Sequence, residues 1–404
     1  MSTGDLFETQ GDHVRAAEFS PTRQAGLLRL DQFAARTGKH YASQRNFDFG
    51  PDRRSNVSAL SPWIRHRLIT EQEVLNATLA RHSYSAAEKF VQEVFWRTYF
   101  KGWLQQHPSV WTSYNEGLHR ALDDCARTTD YNDAVEGRTG IECFDHWARE
   151  LIKTGYLHNH TRMWFASIWV FTLRLPWELG ADFFIRHLLD GDPASNTLSW
   201  RWVAGLHTKG KTYLARPSNI AKYTNGRFNP EGQLAKTAEP LTEEFTHPRV
   251  PIPLPDAMPD EGFLLLVTED DCQIGATLPR QPKAEIGLLA TQRRSSLAIG
   301  PIVQSFAAGA VSDAVGAVGA EDESWAEQII EAAETAGVKT VVTGFAPVGP
   351  VATQLQNARL DRAGLTLCQI RRDYDSLAWP HATRGFFGLK KKIPPILRSL
   401  GYAV

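Results

Sequence analysis

The sequence predicts a chain in two parts, an all-α domain followed by a smaller α/β domain with a parallel sheet. Three observations support this. Apolar residues recur at helical spacing through residues 20–236, a proline-dense stretch follows at 237–260, and short apolar runs then alternate with helical segments over 261–404. The 404 residues suffice for two or three domains, each with its own core. We therefore expect a helical domain at 1–236, a linker at 237–260 and an α/β domain at 261–404.

The helical assignment rests on segments such as AAEKFVQEVFWRTYFKGWLQQ and HTRMWFASIWVFTLR, whose apolar residues are three and four positions apart. In TAEPLTEEFTHPRVPIPLPDAMPDEG the prolines disfavour both helix and central strand, which places the domain boundary there.

The second half contains four short apolar runs that predict buried strands: GFLLLVTEDD, EIGLLAT, KTVVTGFAP and LTLCQIRRD. They alternate with SWAEQIIEAAETAG and VATQLQNARLDRAG, which predict helices. This alternation is typical of a parallel α/β domain. Neither GxGxxG nor GxxxxGK[ST] occurs there, so no motif predicts nucleotide binding in this half.

Composition narrows the function classes. A net charge of −1 means that any nucleic-acid contact must depend on a local basic face. The four cysteines form no CxxC pair, which argues against a disulfide framework or a zinc knuckle and favours a reduced, cytoplasmic setting. Because the N-terminal MSTGDLFETQGDH is polar and no run of 18 apolar residues occurs, we expect neither secretion nor a membrane span.

Two helical segments carry unusual mixed faces. Glu93, Trp96 and Arg97 are spaced i, i+3 and i+4, so a carboxylate, an indole and a guanidinium share one helix face, which Phe90 extends. The same spacing recurs at Asn159, Arg162 and Met163. Such faces either pair with each other as an internal ion pair among core aromatics, or surround a ligand.

Two turn segments precede further helices. Asp190 and Asp192 stand in a DGDP turn, and Trp200 and Trp202 follow on opposite sides of the next predicted helix. The DGD sequence lacks the spacing of a calcium loop, so we expect no metal. The serines of SNVSALSPWI suit either a helix N-cap or a phosphate contact.

These segments together resemble a known family. SALSPWI, FVQEVFWRTYF, TGYLHNHTRMWF and DGDPASNTLSWRW are similar, in order and separation, to the flavin-binding motifs of the DNA photolyase/cryptochrome family, and TGIECFDHWAREL fits between them. The resemblance covers about residues 20–230. It implies an all-α domain that holds FAD in a deep cavity, and light-driven repair in which reduced FAD passes an electron to a pyrimidine dimer.

The resemblance also implies roles for individual residues. The residues that it places around FAD are Tyr41, Ser58, Leu60, Ser61, Phe90, Arg97, Arg162, Asp190, Asp192 and Asn196. The residues that it places around a flipped-out dimer are Glu93, Trp96, Asn159, Met163 and Trp202. Within the first group Arg162 would pair with Asp190. The second group resembles cyclobutane-dimer photolyases more than (6-4) photolyases, which have histidines in place of Asn159 and Met163.

Some positions depart from the family pattern. His160 replaces an arginine, and Tyr156 and Phe90 replace tryptophans. Trp200 and Trp177 match the electron-transfer chain of relatives, whereas its outermost position falls near Asp124. The sequence leaves three tryptophans open as an alternative exit: Trp111, Trp164 and Trp169.

A basic, aromatic segment, GLHTKGKTYLARPSNIAKYTNGRF, predicts a DNA-backbone contact through Lys209, Lys211 and Arg216, with a solvated basic loop as the alternative.

The α/β half follows the flavin half here, whereas photolyases place an antenna domain first. Its final stretch weakly resembles the end of such a domain, so we interpret the order as a circular permutation. A second chromophore there, a folate or a deazaflavin, is left open.

The favoured function is therefore light-driven repair of cyclobutane pyrimidine dimers by a monomeric photolyase, with dimer-containing DNA as the partner and a preference for single-stranded DNA left open. The alternative is a cryptochrome-like photoreceptor that keeps FAD without efficient repair. A nicotinamide-dependent flavoprotein oxidoreductase is weakly supported, because the dinucleotide loop is missing.

Overall fold

The computed structural model describes residues 19–320 and 323–404, and the polar segment 1–13 considered above lies outside them. Its first half is helical, as predicted. The helices are α1 (Arg23–Ala34), α2 (Lys39–Gln44), α3 (Ser61–Arg65), α4 (Glu71–Leu79), α5 (Tyr84–Gln106), α6 (Ser109–Cys125), α7 (Thr129–Glu136), α8 (Glu142–Thr154), α9 (Asn159–Ser167), α10 (Trp177–His187), α11 (Pro193–Val203) and α12 (Pro217–Tyr223). A π-helical turn, Ile168–Thr172, extends α9.

Local signals explain where several of these helices begin and end. Thr70 and Glu73 form a reciprocal capping box at the start of α4. Asp192 caps α11, whose first residue is Pro193, a residue already fixed in a helical φ. Gly155 ends α8 in the left-handed region, with φ 68°, and thereby turns the chain toward the cavity described below.

The second half carries a four-stranded parallel sheet of order β2-β1-β3-β4, formed by β1 (Leu264–Thr268), β2 (Ala284–Leu288), β3 (Thr340–Gly344) and β4 (Thr366–Ile370). Its helices are α13 (Pro301–Val315), α14 (Trp325–Thr335), α15 (Pro350–Ala358), α16 (Asp373–Ala378), α17 (Phe386–Lys390) and α18 (Ile393–Ser399). The predicted fold class, an all-α part followed by a smaller parallel α/β part, is confirmed.

Alternate side chains of the central strands enter two different cores. Leu264 and Leu266 of β1 pack with α14 and α15 on one face of the sheet. Leu265 and Val267 pack on the other face with α13, in a cluster that also contains residues of α1, α4 and α5. The two halves of the chain therefore share one hydrophobic core.

Residues 237–260 form neither helix nor strand over their whole described length. They contact both halves: the Val250 amide donates to the Gln106 carbonyl, and the Asp256 amide donates to the Gln369 carbonyl. The proposed domain boundaries at 236 and 260 stay a prediction. In the described parts of the chain, every helix is too short or too polar to cross a bilayer.

Candidate functional site

A cavity of about 460 Å³ opens into the helical half. This volume lies in the range of small-molecule sites. Its wall is built from α2, the loop before α3, α5, the α8–α9 connection, α9 and α11. The wall contains Trp200 and every residue of the two predicted groups, which are Tyr41, Ser58, Leu60, Ser61, Phe90, Glu93, Trp96, Arg97, Asn159, Arg162, Met163, Asp190, Asp192, Asn196 and Trp202.

The loop before α3 is held against the cavity by a buried arginine. Arg29 of α1 donates through Nε to the Ser58 carbonyl at 2.7 Å, and through Nη2 to the Val57 carbonyl at 2.9 Å. Between the two serines of this loop, Ala59 adopts φ 51°, which is unfavourable for a residue with a Cβ. The strained turn and its arginine anchor together fix Ser58 and Ser61 in the wall.

Helix α5 presents its mixed face to the cavity. The Glu93 carboxylate pairs with Arg45, the residue that follows α2. Burial raises the pKa of Glu93 above its ordinary value, and the Arg45 cation offsets part of that effect. Arg45, with a smaller contribution from Lys89, therefore favours the charged form of Glu93 against its burial.

A cluster of charged side chains lies beside this face. The Arg162 guanidinium lies 3.0 Å from the Asp190 carboxylate, and Arg97 lies 3.6 Å from it. Burial alone would raise the pKa of Asp190, but the two guanidiniums, aided by the Ser61 hydroxyl, outweigh burial and hold it below its ordinary value. Asp190 is thus a buried anion, and among the described residues its Oδ1 has no hydrogen-bond partner.

Asp192 has two functions at the start of α11. It accepts from the Ser195 amide at 2.8 Å and pairs with Arg97. One turn later, the Asn196 side-chain amide donates to the Ala181 carbonyl at 2.7 Å, which fixes the orientation of the amide. The predicted pairing of Arg162 with Asp190 is present in the structure, and Asp192 is bound to Arg97.

The two tryptophans of α11 differ in exposure although both line the cavity. Trp200 is buried, and its ring meets Trp169 edge-on with centroids 6.1 Å apart. Trp202 is half-buried and stacks on Tyr213 at 5.7 Å. Trp200 thus lies in the interior and also borders the cavity, whereas Trp202 borders the cavity from a partly exposed position.

The comparisons with known proteins concern this helical half. Residues 90–253 match the family described as the FAD binding domain of DNA photolyase. The deoxyribodipyrimidine photo-lyase of Escherichia coli strain K12 is 30% identical over 237 residues, which cover 54% of this chain and 46% of that protein. The helical half of this chain is thus similar to the FAD-binding part of the photolyase/cryptochrome family. The resemblance predicted from the ordered motifs is confirmed for residues 90–253.

Other photolyases show the same partial coverage. The deoxyribodipyrimidine photo-lyase of a Synechococcus species is 29% identical over 191 residues, covering 46% of this chain and 39% of its own. A crystal structure of a class III photolyase from Agrobacterium tumefaciens is 28% identical, with a TM-score of 0.43, and covers 50% of this chain and 43% of that one. The chain spans about half the length, or less, of these photolyase relatives.

Sequence reasoning missed several residues of the cavity wall, among them Arg45 and His158. Arg45 stands four positions after Tyr41, a helical spacing that would have placed both on one face. His158 donates from Nε2 to the Arg45 carbonyl at 3.0 Å and accepts the His160 amide on Nδ1 at 3.1 Å. Burial lowers the pKa of His158 to about 4, so the ring is neutral near pH 7.

The departures noted in the sequence also occupy the wall. Burial lowers the pKa of His160, whose Nδ1 bonds to the Asn46 carbonyl, so this ring supplies no fixed positive charge. Arg45 is the cation that faces Glu93 instead. The Tyr156 ring lies under the guanidiniums of Arg54 and Arg162, at 4.6 and 5.3 Å.

The remaining predicted residues lie outside the cavity wall. Trp177 is buried against Tyr114, with ring centroids 5.7 Å apart, and Tyr114 is 5.2 Å from the half-buried Trp111. The basic residues Lys209, Lys211 and Arg216 are exposed on the connection between α11 and α12. Their roles stay predictions, as do those of the cavity residues.

Proposed function

We propose that this chain binds FAD in the cavity and uses blue light to repair cyclobutane pyrimidine dimers in DNA. The observation that carries the proposal is that one cavity is lined both by the buried Arg162–Asp190 pair and by the Trp96–Glu93 face. The Arg162–Asp190 pair suits the polar edge of a flavin. The Trp96–Glu93 face suits two linked pyrimidines that stack on the indole and hydrogen-bond to the carboxylate.

The residues of the wall fit FAD. Asp190 Oδ1 and Ser195 Oγ are buried without a hydrogen-bond partner in the described structure, although buried polar atoms are normally satisfied. A flavin with a ribityl chain offers several donors and acceptors to such atoms. In this proposal Arg97, Arg162, Asp190, Asp192 and Asn196 would hold the ring system, and Tyr41, Ser58, Leu60, Ser61 and Phe90 would hold the rest.

Reduced and excited FAD would supply an electron that splits the dimer. The task of the protein is to bring the lesion out of the DNA stack, and a damaged pair costs least to flip. Trp96 and Trp202 would form the flat walls of the site, with Asn159 and Met163 beside them. Glu93, on the same helix face as Trp96, would hydrogen-bond the pyrimidine edge.

A photosensory role is the second candidate, and one observation favours it. Glu93 is already paired with Arg45 inside the protein, so it can be satisfied without a pyrimidine. A receptor that signals through FAD needs no dimer contact from this carboxylate. Repair of a dimer by the purified protein separates the two candidates.

The test is blue-light repair of an oligonucleotide that contains one cyclobutane dimer, together with its binding in the dark. We expect Trp96→Ala to weaken binding of the dimer about ten- to a hundredfold, because a stacking wall is lost. Glu93→Gln keeps the shape of the site and should lower repair per absorbed photon more than binding.

The matched control is Trp103→Ala, on the same helix, where the indole stacks on His107 at 4.0 Å and lies outside the cavity wall. It should bind the dimer as the wild type does. Retained FAD without repair in the wild type, or equal dimer affinity in Trp96→Ala and Trp103→Ala, would favour the photosensory role.

A further inference from the structure

The C-terminal segment Arg384–Lys392, RGFFGLKKK, lies directly against the Trp96 face of α5. The Phe386 ring stacks on the Trp96 ring with centroids 3.8 Å apart and planes 13° from parallel. Phe386 and Leu389 are buried and anchor the segment. A segment from the far end of the chain thus packs on one side of a cavity residue.

The outward side of this segment is basic and aromatic. Phe387 is 74% exposed, more than any other phenylalanine in the part of the chain that the structure describes. Arg384, Lys391 and Lys392 are exposed, and within residues 19–320 and 323–404 no carboxylate pairs with them. Lys390 differs, since it lies 3.5 Å from Glu88.

The segment is joined to the basic connection between α11 and α12 through one tyrosine. The Tyr99 hydroxyl donates to the Arg384 carbonyl at 2.7 Å and bonds to His207 Nε2 at 2.8 Å. His207 stands two positions before Lys209 and four before Lys211, and Tyr99 contacts the Trp96 ring edge-on at 5.7 Å. Two separate basic segments therefore meet beside the same cavity residue.

We propose that Arg384–Lys392 is a second DNA-contact surface, continuous with the α11–α12 connection. Arg384, Lys391 and Lys392 bind phosphates, and Phe387 stacks on an unpaired base next to the flipped lesion. The choice of DNA as partner rests on the proposed function. Three unpaired cations around one exposed ring match an anionic strand with exposed bases, whereas an apolar partner surface would leave the cations uncompensated.

The experiment measures the affinity of the full chain, with its flavin, for a short single-stranded oligonucleotide without damage, over a series of salt concentrations. Phe387→Ala should weaken binding about ten- to a hundredfold with an unchanged salt dependence, because stacking is lost and charge is not. Lys391→Gln with Lys392→Gln should lower the slope of log affinity against log salt by about 1.4, as expected for two phosphate contacts to a single strand.

The control is Lys283→Gln with Lys339→Gln, which removes the same charge from two exposed lysines that precede β2 and β3. It should retain the wild-type slope. The proposal would be overturned if both double lysine variants lowered the slope of log affinity against log salt equally. Wild-type affinity in Phe387→Ala would also overturn it. So would a Phe387→Ala variant that dissociates a dimer of this chain while binding DNA unchanged, because the patch would then serve a second copy.

Failure of the proposed function gives a different result. A wild type that binds DNA through this segment but repairs no dimer would overturn the repair activity and leave the surface standing. A wild type that repairs dimers while all these variants bind normally would overturn the surface alone. A wild type that binds no DNA would overturn both.

Discussion

At the scale of single residues, the cavity depends on anions that are kept charged by neighbouring guanidiniums. Asp190 is buried, and its charge is balanced by Arg162 at 3.0 Å and Arg97 at 3.6 Å. Removing one partner from a buried ion pair is costly, since the other charge stays in the low-dielectric interior. Arg162 is the nearer of the two.

Arg162→Ala should therefore destabilise the protein by about 3 kcal/mol, near the lower end for a broken buried pair because Arg97 remains. It should also lower the ratio of bound FAD to protein after purification, which absorbance at the flavin band measures. Arg162→Lys keeps the cation and should retain more flavin than Arg162→Ala. Equal flavin content in the wild type and both variants would contradict a role for this pair in holding FAD.

At the scale of elements, the strands and the main cavity helices follow from local pattern. β1 and β3 are fully buried and read as continuous apolar runs, and α5 shows its mixed face directly in the spacing of Glu93, Trp96 and Arg97. Other features depend on partners far along the chain. Arg45 becomes a cavity residue only because α2 packs on α5, and Phe386 meets Trp96 only in the folded molecule.

Helices α6 and α10 together give a physical basis for choosing among the electron exits that the sequence left open. Trp177 of α10, Tyr114 of α6 and Trp111 of α6 form a series of ring contacts that ends at a half-buried indole. Gly180 allows the Trp200 ring to lie against α10, because a Cβ there would come within 2.3 Å of it. By contrast, Trp164 and Trp169 are fully buried.

We expect Trp200→Phe to stop blue-light reduction of the bound flavin, since phenylalanine fills most of the space but is hard to oxidise. Trp111→Phe should slow the same reaction strongly, while Trp164→Phe leaves it near the wild-type rate. The loss of oxidised-flavin absorbance under illumination with an external electron donor measures this. Normal photoreduction in Trp111→Phe would mean that the electron enters through another ring.

At the scale of the whole molecule, the two halves are tied by buried charge as well as by the shared core. Arg67 pairs with Asp271 and Asp375 of the second half, at 3.2 and 2.6 Å, and Arg65 pairs with Asp270 at 2.7 Å. Asp270 and Asp271 follow β1, and Asp375 lies in α16. The cavity in the first half thus depends on a sheet that is distant in sequence.

Buried histidines make this assembled fold sensitive to acid. Burial lowers the pKa of His158 and of His187 to about 4, and that of His207 to about 3. An unfolded histidine takes up a proton near pH 6.5. Between pH 6.5 and about 4 the unfolded chain therefore binds more protons than the folded one, so acidification favours unfolding in that window, and the effect levels off below it.

His158 offers the sharpest test, because its ring caps α9 through Nδ1 and would lose that hydrogen bond on protonation. In the wild type this residue should account for about 3 kcal/mol of the stability lost between pH 6.5 and 4. His158→Asn keeps an acceptor suited to the cap but cannot titrate, so it should flatten the dependence of the unfolding free energy on pH by up to one proton.

His119→Asn, on an exposed position of α6, serves as the matched control and should keep the wild-type slope. Urea unfolding at several pH values between 7 and 4 measures this, and a His158→Asn slope identical to that of His119→Asn would show that His158 is not the buried neutral group.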